Sequence, residues 1–425
     1  MRLTIEKLVY PGRSLATLEG RVVFTDDGWP GEIVEAEPVG ERKNLLEART
    51  TGIVRPSPDR VVPRCAHYRT CSPYQSMSYA AQIEAKRSQL AEILAGLRDS
   101  REGNIDFVPS PDIWHYRNKA RFSILREGGS ARFAYNVPGS RNTFVPVEAC
   151  HLVSEQVTEL LDALLEIVRG GAFRSLQEAE GRVSRAGGEL LLNVFSAAAP
   201  APREIDALVT GLAGRFPLAG IASFRKAGTG WKETVEWGRG FLEEKIRETR
   251  YRIGPRSFFQ VNIGLLGRVL ADVAAEGRFR GTERLADLYS GVGTFGLALA
   301  GSVKEIRGVE SEAANIAFLR QNIGLNGAAN FKIFEGSAEE WALTVLSGNI
   351  DAVIFDPPRK GLGPEIVNSL LASPAGRVFY LSCNPTTLAR DLKALRATYT
   401  VKTLRGYDFF PHTPHIEALA VLERK

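Results

Sequence analysis

The most regular feature of the chain is the alternation, from about Glu283 onward, of short unbroken apolar runs with helix-like stretches. Strand-length runs fall at Arg284 to Leu288, Ile306 to Val309, Phe331 to Phe334, Ala352 to Phe355 and Val378 to Leu381. Continuous apolar sequence is what a strand buried on both faces requires. Two further runs, Tyr399 to Thr403 and Ile416 to Leu422, complete the pattern of an α/β, doubly wound, seven-stranded Rossmann-like sheet. Ligands of such sheets bind beyond the carboxyl ends of the strands, so those ends are where chemistry is expected.

Upstream the periodicity changes. Residues 1 to about 55 carry short runs such as Arg21-Val22-Val23-Phe24, punctuated by Pro11-Gly12, Asp26-Asp27-Gly28 and Pro30-Gly31. That spacing predicts a small barrel of antiparallel strands. After the linker Pro56-Ser57-Pro58, a helix is predicted from about Tyr79 to Leu97, with Ile83, Leu90, Ile93, Leu94 and Leu97 on one apolar face that can pack on the C-terminal unit. Trp114 to Ile124 alternates: His115, Arg117, Lys119, Arg121 and Ser123 fall on one side of a predicted strand. Its three cations suit a phosphate backbone, and equally a solvated sheet face. Residues 151 to 250 read as mixed α and β without a chemical motif. Three units follow: a barrel over 1–55, a central unit over 56–250 and the doubly wound unit over 251–425.

Composition adds limits. A length of 425 residues with 44% apolar content suits two or three globular domains. No apolar run approaches the roughly 20 residues that span a bilayer, and nothing resembles a signal peptide, so a cytoplasmic protein without a membrane partner is expected. Four cysteines, Cys65, Cys71, Cys150 and Cys383, are too few for a disulfide framework, which leaves thiol chemistry or metal binding. The net charge of +5 permits an anionic partner such as nucleic acid without demanding one. Because the first 64 residues hold ten basic and ten acidic side chains, RNA contact there needs local patches.

The candidate chemistry lies at the predicted strand ends. The first turn reads Asp287-Leu288-Tyr289-Ser290-Gly291-Val292-Gly293-Thr294-Phe295-Gly296, and Glu310 ends the second strand, where a carboxylate can accept ribose hydroxyls. The glycines alone suit a nicotinamide dinucleotide equally well. Asp287, and the rigid acidic loop Asp356-Pro357-Pro358-Arg359, favour a sulfonium cation instead. The buried run ending Ser382-Cys383-Asn384-Pro385 delivers a thiol to the start of the next helix, where N–H groups and the dipole favour thiolate. An inert buried thiol is the alternative.

These motifs, with Ser257-Phe258-Phe259-Gln260-Val261-Asn262 and Phe410-Pro411-His412-Thr413-Pro414-His415-Ile416-Glu417, resemble in order and spacing the RNA uridine-5-methyltransferase family of the TrmA and RumA type. The N-terminal pattern, with Tyr10-Pro11-Gly12 and Trp29-Pro30-Gly31-Glu32, resembles the RNA-binding TRAM domain. The resemblance implies that Gln260, Tyr289, Glu310 and Asp356 contact S-adenosylmethionine. It makes Cys383 the nucleophile, Glu417 the base that removes the C5 proton, and Phe258 a stacking partner of the target base. It implies RNA as partner, ribosomal by the presence of the barrel, with transfer RNA as the alternative substrate, and a monomer. A catalytically inactive RNA-binding or folding factor is the rival from another class.

The family usually holds a [4Fe-4S] cluster on four cysteines spaced C-x5-C-x2-C plus one distant cysteine. Here Cys65 and Cys71 match the first two and Cys150 the distant one, while Tyr74 stands in the third place. Three thiolates imply either an unusual fourth ligand or a vestigial site.

Overall fold

The apolar runs of the C-terminal half pair side by side. The computed structural model describes residues 1–42, 45–97, 105–137, 140, 143–228 and 230–425. Its largest sheet runs, edge to edge, Phe331–Glu335, Glu305–Glu310, Arg284–Leu288, Ala352–Phe355, Arg377–Ser382, Glu417–Arg424, Tyr399–Tyr407 and Asp106–Val108. The first five are mutually parallel, and Glu417–Arg424 runs antiparallel between its two neighbours. Strand order reverses between Arg284–Leu288 and Ala352–Phe355, which opens a crevice at their carboxyl ends.

Seven of these strands are the expected ones. The eighth, Asp106–Val108, pairs in parallel with Tyr399–Tyr407 and comes from far upstream. The helix before it, Tyr79–Ile93, packs Leu90 into the same apolar cluster as Phe107 and Leu404. Its fully buried Lys86 donates to Asp408 at 2.5 Å and to the carbonyl of Phe410 at 3.1 Å. Losing one member of such a pair would leave a buried unpaired charge, at a cost of about 3–5 kcal/mol. The helix thereby pins the loop that leads to Glu417.

The N-terminal strands form a six-stranded sheet ordered Arg2–Thr4, Ile33–Arg42, Leu45–Arg55, Arg21–Thr25, Arg13–Leu18, Lys7–Val9. Its pairings are antiparallel except between Arg21–Thr25 and Leu45–Arg55, which run parallel. A small core of Leu3, Ile5, Ala16, Val23, Val34 and Ala48 fills it.

In the middle of the chain a seven-stranded sheet, from Phe144–Pro146 at one edge to Gly230–Gly238 at the other, packs against the helices Glu155–Arg169 and Pro202–Leu212. The strand predicted from Trp114 begins only at Lys119, because His115 takes a left-handed conformation (φ 53°) that breaks the alternation. The predicted row of cations is also partnered within the protein. Lys119 pairs with Glu180 at 3.0 Å, and Arg121 pairs with Glu178 while its guanidinium lies 3.6 Å from the centre of the Phe195 ring. Among the described residues no helix is long and apolar enough to cross a membrane.

Candidate active site

The buried strand Arg377–Ser382 ends at Cys383, and Asn384 then caps the helix Pro385–Leu395 by accepting from the Thr386 N–H at 3.2 Å. The neighbouring strand starts at Glu417. Because Ser382 lies opposite Ala418 in the ladder, register alone brings the thiol and the Glu417 carboxylate to the same sheet edge. Both line one cavity of about 440 Å³ together with Phe258, Gln260, Asp356, Pro357, Pro358, Arg359, Phe410 and His415. The loop carrying Asp356 is tied to the thiol's helix, since the Arg359 carbonyl accepts from Asn384 at 3.0 Å and from Thr387 at 3.3 Å.

Phe258 and Gln260 reach the cavity from an irregular segment ahead of the helix Ile263–Gly277. Arg182 of the central sheet donates to the Ser257 carbonyl at 2.9 Å, and Asn118 N–H to the Val261 carbonyl at 3.0 Å. The central unit thus fixes both ends of that segment. Gln260 is buried, whereas the Phe258 side chain is 67% exposed. A large apolar ring left open to solvent at the rim of a cavity is unusual for packing and suits a stacking surface.

The electrostatics differ from the sequence expectation. Burial, then the carboxylates of Glu417 and Asp356, push the Cys383 thiol up to about 11, with Arg359 opposing. The helix N-terminus therefore does not produce a resting thiolate, and that expectation is corrected: desolvation and two nearby carboxylates outweigh the dipole. Glu417 itself is held well above the ordinary carboxyl range by burial, with Asp356 adding and Arg359 opposing. Its Oε2 has no hydrogen-bond partner among the described residues. Burial lowers His412 to about 3 and His415 to about 4, so both rings are neutral. His412 is structural, stacked on Trp114 at 3.8 Å and hydrogen-bonded to Gln82 at 3.0 Å.

A second group of acids occupies the crevice at the switch in strand order. Asp287 accepts from Gly296 N–H at 2.9 Å, and a side chain at Gly296 would place Cβ 2.8 Å from that carboxylate oxygen and 2.5 Å from the Phe331 ring. Burial, with Glu310 adding, raises Asp287 to about 7; burial, with Asp287 adding and a hydrogen bond to Gln260 opposing, raises Asp356 to about 7. Glu310 accepts from the N–H groups of Gly291, Ser311 and Glu312, each at 2.8 Å. Tyr289 holds a left-handed conformation (φ 71°), and its hydroxyl is buried without a partner among the described residues. Of the residues singled out from sequence, Phe258, Gln260, Asp356, Cys383 and Glu417 meet in one cavity, with Tyr289 and Glu310 at adjoining strand ends. Sequence reasoning gave no role to Arg359, although it follows the Asp-Pro-Pro signal directly.

The upstream cysteines form a different environment. Cys65 Sγ accepts from Gln75 at 3.4 Å, Cys150 Sγ lies 3.3 Å from the Tyr135 hydroxyl, and Cys71 Sγ lies 3.4 Å from that of Ser72. Tyr74, in the third family position, is fully buried edge-on against Trp29, and its hydroxyl accepts from Gln89 at 3.1 Å. Burial pushes its phenol further from ionisation. Among the described residues no group of three or more His, Cys, Asp or Glu side chains is arranged to hold a metal ion. This constellation does not fit a four-thiolate cubane, because the fourth ligand is replaced by a neutral ring engaged elsewhere.

The family model described as tRNA (Uracil-5-)-methyltransferase matches residues 231–425. A protein of Lactobacillus johnsonii named as an uncharacterized RNA methyltransferase is 30% identical, over 99% of this chain and 98% of its own. The chain belongs to the tRNA (uracil-5-)-methyltransferase family. A further member-like relative, an uncharacterized RNA methyltransferase of Aquifex aeolicus, is 31% identical over 100% of this chain and 99% of its own. Among solved structures, the Pyrococcus abyssi tRNA (uracil-54, C5)-methyltransferase in complex with S-adenosyl-L-homocysteine superposes with a TM-score of 0.77 at 27% identity, covering 99% of this chain and 100% of that one. This member of the tRNA (uracil-5-)-methyltransferase family is thus an RNA methyltransferase.

Proposed function

We propose that the cavity methylates C5 of a uridine in RNA through a covalent adduct with Cys383, using S-adenosylmethionine as the methyl donor. One observation carries this reading: a thiol, a buried carboxylate whose Oε2 has no hydrogen-bond partner among the described residues and a solvent-exposed aromatic ring share a single cavity with Asp356 and Gln260.

Uracil C5 is a weak nucleophile. For the addition the Cys383 thiol gives up its proton to solvent and its sulfur bonds to C6, while the C5–C6 π electrons shift toward C5 and the C4 carbonyl oxygen; C5 is then electron-rich enough to take the methyl group the donor supplies. Once C5 carries both a methyl and a proton, Glu417 removes the proton, and its raised proton affinity makes it a stronger base for that step than an ordinary carboxylate. The electrons of the C5–H bond re-form the C5–C6 double bond and expel the Cys383 sulfur. Asp356, Gln260, Glu310 and Tyr289 would hold the donor, with Asp356 and Asp287 supplying negative charge for a cation. The target base must leave its stack to reach the cavity, and Phe258 replaces the lost stacking.

Two RNA classes have support. The barrel-like N-terminal sheet favours large-subunit ribosomal RNA. Against this, the Pyrococcus abyssi enzyme, named for a transfer RNA position, matches this chain along its full length, which favours transfer RNA. The chain is proposed to act as a cytoplasmic monomer. Incubation of unmodified transfer-RNA and 23S transcripts with enzyme and labelled S-adenosylmethionine tests the substrate: 5-methyluridine in one set only selects it, and in neither removes the activity. RNA carrying 5-fluorouridine tests the mechanism, because the fluorine cannot leave as a proton and the adduct should persist as a denaturant-stable complex.

A further inference from the structure

The helix Tyr79–Ile93 buries a polar stripe. Gln82, Lys86 and Gln89, spaced to share one helix face, are all buried. Polar groups are costly to bury unless they are bonded, so what they bond to is informative. Gln82 commits its whole amide to one neighbourhood. Its nitrogen donates to the carbonyls of Tyr74 and Met77, each at 2.9 Å, and lies 3.0 Å from His412 Nδ1. Its oxygen accepts from the His412 N–H at 2.9 Å. The Tyr74 N–H donates in turn to the His412 carbonyl at 3.0 Å. Both backbone polar groups of His412, and its ring, are therefore held from outside its own loop.

His412 needs that hold. It is a non-glycine residue in a left-handed conformation (φ 66°), which persists only where neighbours enforce it. The turn it makes is short and internally tied: the Thr413 hydroxyl donates to the Phe410 carbonyl at 2.7 Å and accepts from the His415 N–H at 3.3 Å. The strand Glu417–Arg424 follows directly. Phe410, His415 and Glu417 of this segment line the reactive cavity. Glu417 Oε2 has no hydrogen-bond partner among the described residues, so its backbone and packing decide where it points. Among the described residues Gln82 hydrogen-bonds to none of the segments that bring Cys383, Asp356 and Gln260 to the same cavity.

We propose that Gln82 is a positioning residue for the proton-removal step: by holding His412 in its left-handed turn, it sets where the Glu417 carboxylate meets the C5 hydrogen of the methylated adduct. This rests on the proposed function and deepens it, because one step of that reaction then depends on a helix far upstream of the doubly wound unit, while addition and methyl transfer do not.

The test compares two rates for the full-length enzyme with S-adenosylmethionine. Adduct formation on 5-fluorouridine RNA needs Cys383 and the donor but no proton removal; turnover on unmodified RNA needs all three. Gln82→Met removes the amide at similar volume. Its turnover should fall by about tenfold to a hundredfold, the scale of a small misplacement of a reacting group, with 5-fluorouridine adduct formation within about twofold of wild type. A methylated protein–RNA adduct should accumulate on unmodified RNA. A merely structural residue would lower both rates in proportion to the loss of folded protein, and that parallel loss overturns the proposal. Wild-type turnover in Gln82→Met also overturns it. Should that variant not fold, His412→Asn carries the test, because asparagine suits the left-handed backbone while giving up the ring's contacts with Gln82 and Trp114. The same split is expected there, at about threefold or more, and parallel loss or none overturns the proposal. If the wild-type enzyme forms no adduct, the proposed function fails and this inference falls with it; if it forms one and the split is absent, only the role of Gln82 fails.

Discussion

The molecule presents cysteine in two settings, and in each at least one thiol, Cys383 in one and Cys71 in the other, is pushed away from ionisation by burial. Cys383 is raised to about 11 by burial and two carboxylates. Cys71 is raised by burial, with Ser72 opposing and Cys150 and Cys65 adding. Resting proton affinity therefore does not separate a reactive site from an inert one here. What separates them is whether the surroundings change when something binds. Cys383 opens on a cavity beside an exposed ring, and Asp356, one of the two carboxylates that suppress its ionisation, is the group proposed to face the donor's cation. The three upstream sulfurs lie against neutral groups instead: Cys65 accepts from the Gln75 amide, and Cys150 and Cys71 sit beside the hydroxyls of Tyr135 and Ser72.

The sharpest way to break this contrast is at Cys383. Replacing it with alanine should lower methylation by more than about a thousandfold, as expected for loss of a covalent nucleophile, and abolish the complex with 5-fluorouridine RNA. An alanine variant that still traps RNA would move the nucleophile elsewhere. Next in size is Glu417→Gln. It keeps the shape of the side chain but cannot take the C5 proton, so turnover should fall by about 10²–10⁴-fold. Addition and methyl transfer would still proceed, and a methylated protein–RNA adduct should accumulate on unmodified RNA. Loss of turnover without that adduct would mean Glu417 acts earlier than proposed.

Asp356 gives a smaller and directional effect. With its folded value raised to about 7, the carboxylate proposed to pair with a sulfonium is the dominant form only above that pH. Binding a cation favours the deprotonated form, so affinity for S-adenosylmethionine should weaken as pH falls below about 7, by up to about tenfold per unit. S-adenosylhomocysteine lacks the positive sulfur and should show a flatter profile. Titration calorimetry from pH 5.5 to 8 decides it, and parallel profiles for the two ligands would remove Asp356 from the cation's surroundings.

How much of this was legible in advance follows from how local each signal is. The parallel strands were readable because burial on both faces forces unbroken apolar sequence, and their carboxyl ends then located Cys383, Asp356 and Glu310 without coordinates. The eighth strand, Asp106–Val108, was not readable: three residues carry no period, and what recruits them is pairing with Tyr399–Tyr407, far along the chain. The strand predicted from Trp114 failed at its start because alternation does not report the left-handed turn at His115. The thiolate expectation failed because a helix dipole is visible in sequence, whereas the two carboxylates that outweigh it arrive from other strands.

The smallest expected effects lie on the other side of the contrast, at the upstream thiols. Cys65→Ser and Cys150→Ser each exchange a buried sulfur for a smaller hydroxyl that the same neutral partners can engage. Stability should fall by about 1 kcal/mol, and methylation should stay within about twofold of wild type at a temperature where both proteins are folded. Iron and acid-labile sulfide in anaerobically purified protein should be far below one cluster per chain, because the Tyr74 phenol is buried against Trp29 and already accepts from Gln89. A stoichiometric cluster would require Tyr74 to leave that packing or another group to move in as fourth ligand. The two cysteine settings would then differ by metal ligation, and surroundings that respond to ligand binding would no longer explain why one thiol reacts.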